Sequence, residues 1–479
     1  MPTKKPTQQW LTELLDAQRA AFVAARPEPL SVRQDRLDRL LSLLTENDAA
    51  LCDAMNEDYG NRSEVQSMIT DVMAAITFTK YCKSNLRRWA SPERRSVQFP
   101  LGLVGAKAEL RFEPKGVIGI ISPWNFPVNL AFGPLAQVLA AGNRAMIKPS
   151  EFTPVTSNLI AELVAQYFSE DEVTVANGGV EVAQAFSSLP FDHLVFTGST
   201  EVGRHVMRAA AENLVPVTLE LGGKSPTVIG RSADLEQAGS RIVTGKMMNA
   251  GQICLAPDYL LVPEEMEDGM IAALELGAMD QYPALRDNPD YASVINDKQF
   301  ARLQEMVADA REKGGDVIEI NPADEDFSAG NQRKMPLTVI RNPSDDMQAM
   351  REEIFGPVLP VLTYSHIDEA IERINGRDRP LGLYYFGEDV GEREKVLKQT
   401  ISGGVTVNDV IFHISAEDMP FGGIGPSGMG CYHGPEGFKE FSHARSVYTQ
   451  PKLDVAALGG LKPPYGARAK KLLSFMARK

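Results

Sequence analysis

Five short β-rich runs with helical sequence between them constrain this chain more than any other feature. They are Gly116-Val117-Ile118-Gly119-Ile120-Ile121, Arg144-Ala145-Met146-Ile147, Val173-Thr174-Val175, Leu194-Val195-Phe196 and Pro216-Val217-Thr218-Leu219. The first is unbroken apolar sequence without polar alternation, the pattern of a buried strand. Strand and helix alternating at this spacing predict a parallel sheet covered by helices. A similar alternation runs from Thr227-Val228-Ile229 to Leu359-Pro360-Val361-Leu362. The reading is therefore two α/β lobes joined near residue 221. Residues 8–58 and 63–90 read as helical, with Leu37, Leu40, Leu41 and Leu44 on one face and a break at Thr45-Glu46-Asn47-Asp48. Between these helices and the first strand, Pro92, Pro100, Gly102 and Gly105 punctuate strand-like Leu103-Val104 and Leu110-Arg111-Phe112. That texture predicts a hairpin reaching away from the main body.

Composition excludes several classes of function. The 479 residues carry 49 basic and 63 acidic side chains, a net charge of −14, which argues against nucleic-acid binding. Cys52, Cys82, Cys254 and Cys431 are far apart, and the six histidines are scattered, so neither a disulfide framework nor a metal site is expected. No run approaches ~20 apolar residues, so no membrane span is expected. The N-terminus lacks the apolar core of a signal peptide, and the expectation is a reduced, cytoplasmic protein. Residues 462–479 hold six basic and no acidic residues, with Leu472, Leu473, Phe475 and Met476 interleaved. They read as a short amphipathic helix docked on the body, in preference to a contact with a membrane surface, because the apolar part is short and single.

Four glycine-rich segments carry the candidate chemistry. Phe196-Thr197-Gly198-Ser199-Thr200-Glu201-Val202-Gly203 follows an apolar strand, and its turn into a helix could present backbone N–H groups to a pyrophosphate. In Leu219-Glu220-Leu221-Gly222-Gly223-Lys224-Ser225, Glu220 is an acid inside an apolar run. Burial would raise its pKa and suit it to act as a general base. Asn249-Ala250-Gly251-Gln252-Ile253-Cys254 sets a cysteine among small and polar residues that allow close substrate approach. Pro420 to Gly430 holds so many glycines that it reads as a loop pressed against a ligand or another chain segment. Two further segments, Pro123-Trp124-Asn125-Phe126-Pro127 and Lys148-Pro149-Ser150-Glu151, sit at strand C-terminal ends, where open α/β sheets place ligands.

In this order, over roughly residues 10–450, the six segments resemble the NAD(P)-dependent aldehyde dehydrogenases. Pro127-Val128-Asn129-Leu130, Pro380-Leu381-Gly382-Leu383-Tyr384 and Pro463-Pro464-Tyr465 resemble the dimeric, class 3-like branch. Asp58-Tyr59-Gly60-Asn61-Arg62-Ser63 and Ser446-Val447-Tyr448 are similar to bacterial coniferyl aldehyde dehydrogenases. The resemblance implies Cys254 as nucleophile, Asn125 as side-chain oxyanion donor and Glu220 as the base that activates water. It implies that Glu353 holds the nicotinamide ribose, that Phe355 packs near the nicotinamide ring, and that Trp124 lines the site. Lys148 and Glu151 match residues that meet the adenine ribose, with Ser150 between them. Ser199 meets the pyrophosphate in the turn framed by Gly198 and Gly203. A carboxylate at Glu151 would repel a 2′-phosphate, which favours NAD, although relatives with the same glutamate accept NADP.

The implied fold is a Rossmann-like cofactor domain (1–90 and 114–220), an α/β catalytic domain (221–425), a small β oligomerisation arm (91–113 and 426–448) and a tail (449–479). Pro134 stands where tetrameric relatives commonly carry a lysine, which favours a homodimer and removes one proton-relay group. The implied reaction is oxidation of a hydrophobic aldehyde, aromatic of the coniferyl kind or medium-chain aliphatic, to its acid through a thiohemiacetal and a thioester. Tyr59 and Phe421 are expected at an apolar substrate entrance. The alternatives are thioester release to coenzyme A, which would leave Glu220 without a task, and a non-catalytic relative, which would have no use for Cys254, Glu220 and Asn125 together.

Overall fold

The computed structural model describes residues 7–99, 101–327 and 332–477. The first six and last two residues of the expected terminal segments, and Pro100 of the expected hairpin, lie outside the described residues. The chain opens with helices Thr7–Ala24, Leu30–Glu46 and Asp48–Tyr59. The expected break falls at Asn47, and Leu37, Leu40 and Leu44 are fully buried. A short helix, Glu64–Ser67, then runs through a π-helical turn, Met68–Val72, into helix Met73–Trp89.

Two parallel sheets follow, as the strand–helix alternation requires. The first orders its strands Gly428–Met429, Val217–Leu221, His193–Gly198, Val117–Ile121, Arg144–Lys148, Val173–Val175. All are parallel except the two-residue edge strand Gly428–Met429. Strand Val117–Ile121 is buried along its whole length, which explains its unbroken apolar sequence. Gly119 within it is required by packing, since a Cβ there would lie 2.7 Å from both Leu194 and Phe191. The connections leave this strand first toward Arg144–Lys148 and later return on its other side to His193–Gly198. That reversal opens a crevice at the strands' C-terminal ends.

The chain crosses to the second sheet between Leu221 and Pro226. Its order is Asp316–Ile320, Leu337–Arg341, Val358–Tyr364, Tyr259–Pro263, Pro226–Ile229, Gly382–Phe386, Gly404–Val407, parallel except at the first pair. Each sheet face packs helices over its own hydrophobic cluster.

A third, three-stranded sheet joins Glu93–Arg95 and Lys107–Pro114 to Ser442–Thr449, all antiparallel. Leu101–Val104 departs from expectation: it is a 3-10 turn, not strand. Leu103 is 78% exposed, and Gly105 turns the chain at φ 97°, so no neighbouring strand pairs with it. The tail also departs from expectation. Ala467–Met476 is helical, but only Ala469 in it is buried, and Leu473, Phe475 and Met476 face outward instead of docking on the body. Among the described residues no helix is long and apolar enough to cross a membrane.

Candidate active site

The C-terminal ends of the first sheet's strands converge on one crevice. Trp124 and Asn125 follow strand Val117–Ile121, and Lys148 ends the neighbouring strand, with Ser150 and Glu151 just beyond it. Gly198 ends a third strand, and Glu220 lies near the end of a fourth. Cys254 reaches the same place from the second lobe, on the loop between helix Leu235–Met247 and strand Tyr259–Pro263.

That loop is held in an unfavourable backbone form. Asn249, Ala250 and Gly251 all have positive φ, at 51°, 51° and 73°. A non-glycine residue there costs about 1–2 kcal/mol, so the surroundings must impose the conformation. They do so with named bonds. The Asn249 N–H donates to Gln66 Oε1 at 3.0 Å, and its side chain donates to the carbonyls of Asn125 and Gln252. The Gln252 amide donates to Asn249 and Ser293 carbonyls and accepts from the Ile295 N–H at 2.9 Å. Gly251 lies so close to Gly356 that a Cβ would sit 2.6 Å from its carbonyl carbon.

The Asn125 side chain points at this loop and donates to the Gln252 carbonyl at 3.1 Å. A carboxamide nitrogen has two hydrogens, so one remains for an oxyanion. The Asn125 backbone carbonyl accepts from Tyr59 Oη, Arg62 Nη1 and Asn249 Nδ2, each at 3.1 Å.

Acids surround the half-buried thiol. Burial pushes the Cys254 thiol up to about 12, and the carboxyls of Glu353 and Glu220 add to the shift. Backbone N–H groups of Cys254 and Leu255 oppose it. Glu220 is 3% exposed, and neither carboxylate oxygen has a hydrogen-bond partner. Burial drives its pKa well above the usual carboxylate range, and the negative charge of Glu440 drives it further. An unpartnered buried acid with a raised pKa is the form a general base takes. The glycine-rich segment of residues 420–430 is pressed against the strand that carries Glu220. Gly428 pairs directly with Glu220, and Leu221 N–H donates to the Ser427 carbonyl at 3.1 Å.

Glu353 is seated on the backbone of Gly222, with no room there for a Cβ, and accepts from the Gly223 N–H. Its Oε1 is buried without a partner, and burial followed by the Asp258 charge pushes its pKa up to about 8. Its turn is fastened on both sides: Asp258 accepts the Ile354 N–H at 2.9 Å, and Arg302 donates to the Ile354 carbonyl at 2.6 Å. Phe355, at φ 49°, stands edge-on to Trp124 with ring centroids 5.3 Å apart.

At the far end of the crevice Lys148 Nζ meets Glu151 at 3.0 Å and the Pro149 carbonyl at 2.6 Å. Ser150 Oγ accepts from the Phe152 N–H, bracing the turn. Ser199 caps helix Thr200–Ala211 by accepting the Val202 N–H and is itself exposed. Gly198 and Gly203 admit no Cβ without meeting Phe196 and Leu221 at 2.6 Å. An open helix N-terminus, an orphaned carboxylate oxygen and a backbone cradle at Gly222 fit a dinucleotide laid across the strand ends.

The two residues expected at a substrate entrance are both buried. Tyr59 is fully buried, and its hydroxyl donates to the Trp124 and Asn125 carbonyls, so it braces the site from behind. Phe421 is 5% exposed and closed within a ring cluster with His413, Tyr432 and His433. Sequence reasoning missed Arg62, Asp71, Asn249, Gln252 and Glu440. The first four act through long-range hydrogen bonds. Glu440 accepts from Thr218 Oγ1 at 2.8 Å, and Thr218 in turn meets His193, which meets Lys115. No spacing in the sequence marks these contacts, although Arg62, Asn249 and Gln252 lie inside segments already singled out.

The sequence profile of the aldehyde dehydrogenase family matches residues 3–447. A Caulobacter vibrioides protein named probable coniferyl aldehyde dehydrogenase is 53% identical over 470 residues, covering 98% of this chain and 97% of its own. The coniferyl aldehyde dehydrogenase of a Pseudomonas species is 50% identical over 466 residues, covering 97% and 96%. Among solved structures, Staphylococcus aureus AldH in a substrate-bound state superposes with a TM-score of 0.91 at 35% identity, covering 97% of this chain and 99% of that one.

Proposed function

This chain belongs to the aldehyde dehydrogenase family, an oxidoreductase acting on the aldehyde group, and from that premise we propose that it oxidises coniferyl-type aromatic aldehydes to their acids with NAD and water. The observation that carries the mechanism is the meeting of Cys254, the Asn125 amide and the unpartnered Glu220 carboxyl at the strand ends. The aromatic substrate class rests on the half-identity to the two coniferyl aldehyde dehydrogenases.

In this reading the Cys254 sulfur adds to the aldehyde carbon, and its proton passes to a neighbouring base. The carbonyl oxygen becomes an oxyanion held by the free Asn125 N–H and the Cys254 backbone N–H. NAD, when bound, supplies the hydride acceptor. Glu353 and its Gly222 cradle hold the nicotinamide ribose, and Trp124 and Phe355 wall the ring. The Lys148–Glu151 pair meets the adenine ribose, and Ser199 and the helix N-terminus meet the pyrophosphate. Loss of hydride leaves a thioester on Cys254. Glu220 then takes a proton from water, the hydroxide attacks the thioester carbon, and the carboxylic acid leaves as the thiol is restored. Burial favours this task, because a base with a raised pKa accepts a proton from water more readily than an ordinary carboxylate. The three-stranded sheet of residues 93–114 and 442–449 is the surface through which two copies would pair, in a cytoplasmic homodimer.

NADH formation by the purified protein against coniferyl aldehyde, benzaldehyde, hexanal and succinic semialdehyde tests the substrate class. A kcat/KM for coniferyl aldehyde at least tenfold above hexanal is expected. Equal or reversed values would refute it.

A further inference from the structure

The segment that runs from the third helix into the π-helical turn, residues 60–71, takes no part in the chemistry above, yet it holds the most enclosed ion pair among the described residues. Arg62 and Asp71 have side chains with no solvent exposure, and Arg62 Nη2 meets Asp71 Oδ2 at 2.6 Å. Gly60, at φ 76°, ends the helix Asp48–Tyr59 and turns the chain so that Arg62 enters the core. The Arg62 N–H is held by Asn56 Oδ1 at 2.8 Å, and the guanidinium lies 4.9 Å from the Tyr59 ring and 5.4 Å from the Phe126 ring. Asp71 sits in the one π-turn among the described residues, and such turns recur at functional sites.

Arg62 Nη2 also donates to Thr70 Oγ1 at 3.3 Å, but outside residues 60–71 the pair's bonds go to one stretch of backbone. Arg62 Nη1 donates to the Asn125 carbonyl at 3.1 Å. Asp71 Oδ1 accepts the N–H groups of Val128 and Asn129, each at 3.1 Å, at the start of helix Asn129–Ala140. The cation therefore grips one end of the turn 125–129 and the anion grips the other. From the same segment Gln66 Oε1 takes the Asn249 N–H and so fastens the nucleophile loop. Stability alone does not call for such a device, since well-packed apolar residues commonly replace a buried ion pair without loss. An apolar pair could not, however, satisfy a carbonyl and two N–H groups at fixed positions.

We infer that the Arg62–Asp71 pair is a positioning device for the oxyanion donor: it clamps the 125–129 turn from both ends and so fixes the Asn125 amide against the Cys254 loop. This rests on the reading of Asn125 as oxyanion donor. Arg62 and Asp71 touch no reacting atom and act only through Asn125.

A double-mutant cycle tests it, read as the single-turnover NADH burst with NAD and coniferyl aldehyde or benzaldehyde. The variants are Arg62→Met with Asp71→Leu, Asn125→Ala, and all three together. Asn125→Ala should slow the burst by about 10²–10³, the usual effect of losing an oxyanion donor. The apolar pair should slow the burst about tenfold when Asn125 is present and less than about twofold when it is alanine, since coupled residues are not additive. The KM for NAD should stay within about twofold of wild type, because only an interaction made in the transition state is lost. The same tenfold loss in both backgrounds would overturn the inference and reduce the pair to a packing element. An unchanged burst in Asn125→Ala would instead overturn the oxyanion reading beneath it. Should the apolar pair fail to fold, Arg62→Lys takes its place in the cycle, since lysine keeps the charge but cannot reach Asp71 and the Asn125 carbonyl in one plane.

Discussion

Substituting Gly222 with alanine isolates the cofactor cradle from the rest of the site. The new Cβ would lie within about 2.5 Å of both carboxylate oxygens and the carboxyl carbon of Glu353. Ordinary contact begins near 3.4 Å, so the carboxylate must retreat by roughly 1 Å. The three atoms nearest to the new Cβ all belong to Glu353. Gly222 is not among the glycines with left-handed φ, and the atoms it would strike are the far end of a flexible side chain. A retreat of that size takes Glu353 out of hydrogen-bond reach of a ribose. With the pKa of Glu353 raised to about 8, an assay above that pH keeps the carboxyl charged. A hydrogen bond to a charged group is worth about 1.5–3 kcal/mol, which corresponds to a rise of about 10–150-fold in the KM for NAD. The assay pairs NADH formation at varied NAD with hydrolysis of p-nitrophenyl acetate in its absence. In the proposed mechanism the ester reaction would use Cys254 and Asn125 but not the cradle, so it should stay within about twofold, and the melting temperature should hardly move. Glu353→Gln should resemble Gly222→Ala in its KM for NAD. An unchanged KM in Gly222→Ala would refute the assignment of Glu353 to the ribose. An equal fall in ester hydrolysis would refute the claim that the clash is local.

Two further expectations concern charge. Glu440 raises the pKa of Glu220, whose working form is deprotonated, so Glu440→Gln should lower that pKa and shift the acid limb of the hydrolysis rate to lower pH. A limb that stays put or moves upward in the pH–rate profile would count against Glu220 as the base or against its coupling to Glu440. Glu151→Gln removes the carboxylate that would face a 2′-phosphate, so the ratio of kcat/KM for NADP over NAD should rise by a factor on the order of ten. No change in that ratio would move the adenosine end away from residues 148–151.

What the sequence made legible was local or periodic. Strand Val117–Ile121 could be read because a strand buried on both faces has a continuous apolar sequence, and Glu220 stood out because an acid interrupts such a run. The family resemblance then supplied roles for Cys254, Asn125 and Glu353. Tyr59 and Phe421 show where such reading ends, because burial and partners cannot be read from residue type alone. A tyrosine spends its hydroxyl wherever a buried carbonyl is available, and here those carbonyls belong to Trp124 and Asn125. The Arg62 and Asp71 clamp was invisible because its targets lie 57 to 63 residues away and are backbone groups, which every residue possesses. The same holds for Asp58, which caps helix Pro154–Tyr167 from 97 residues earlier in the chain.

The left-handed run before Cys254 also has a bearing on the order of assembly. Local preference opposes that loop, and its restraints come from Gln66, Asn125, Ser293, Ile295 and Gly356. The farthest of the hydrogen-bonded partners is 183 residues distant. Contacts across such spans form only after the chain's ends have been brought together, so the loop cannot take this shape from its own local sequence. A growing chain therefore carries Cys254 as an ordinary thiol until the residues around Gly356 have been made and docked. The Asn125 amide meets this loop only in the finished protein, where burial also pushes the Cys254 thiol up to about 12.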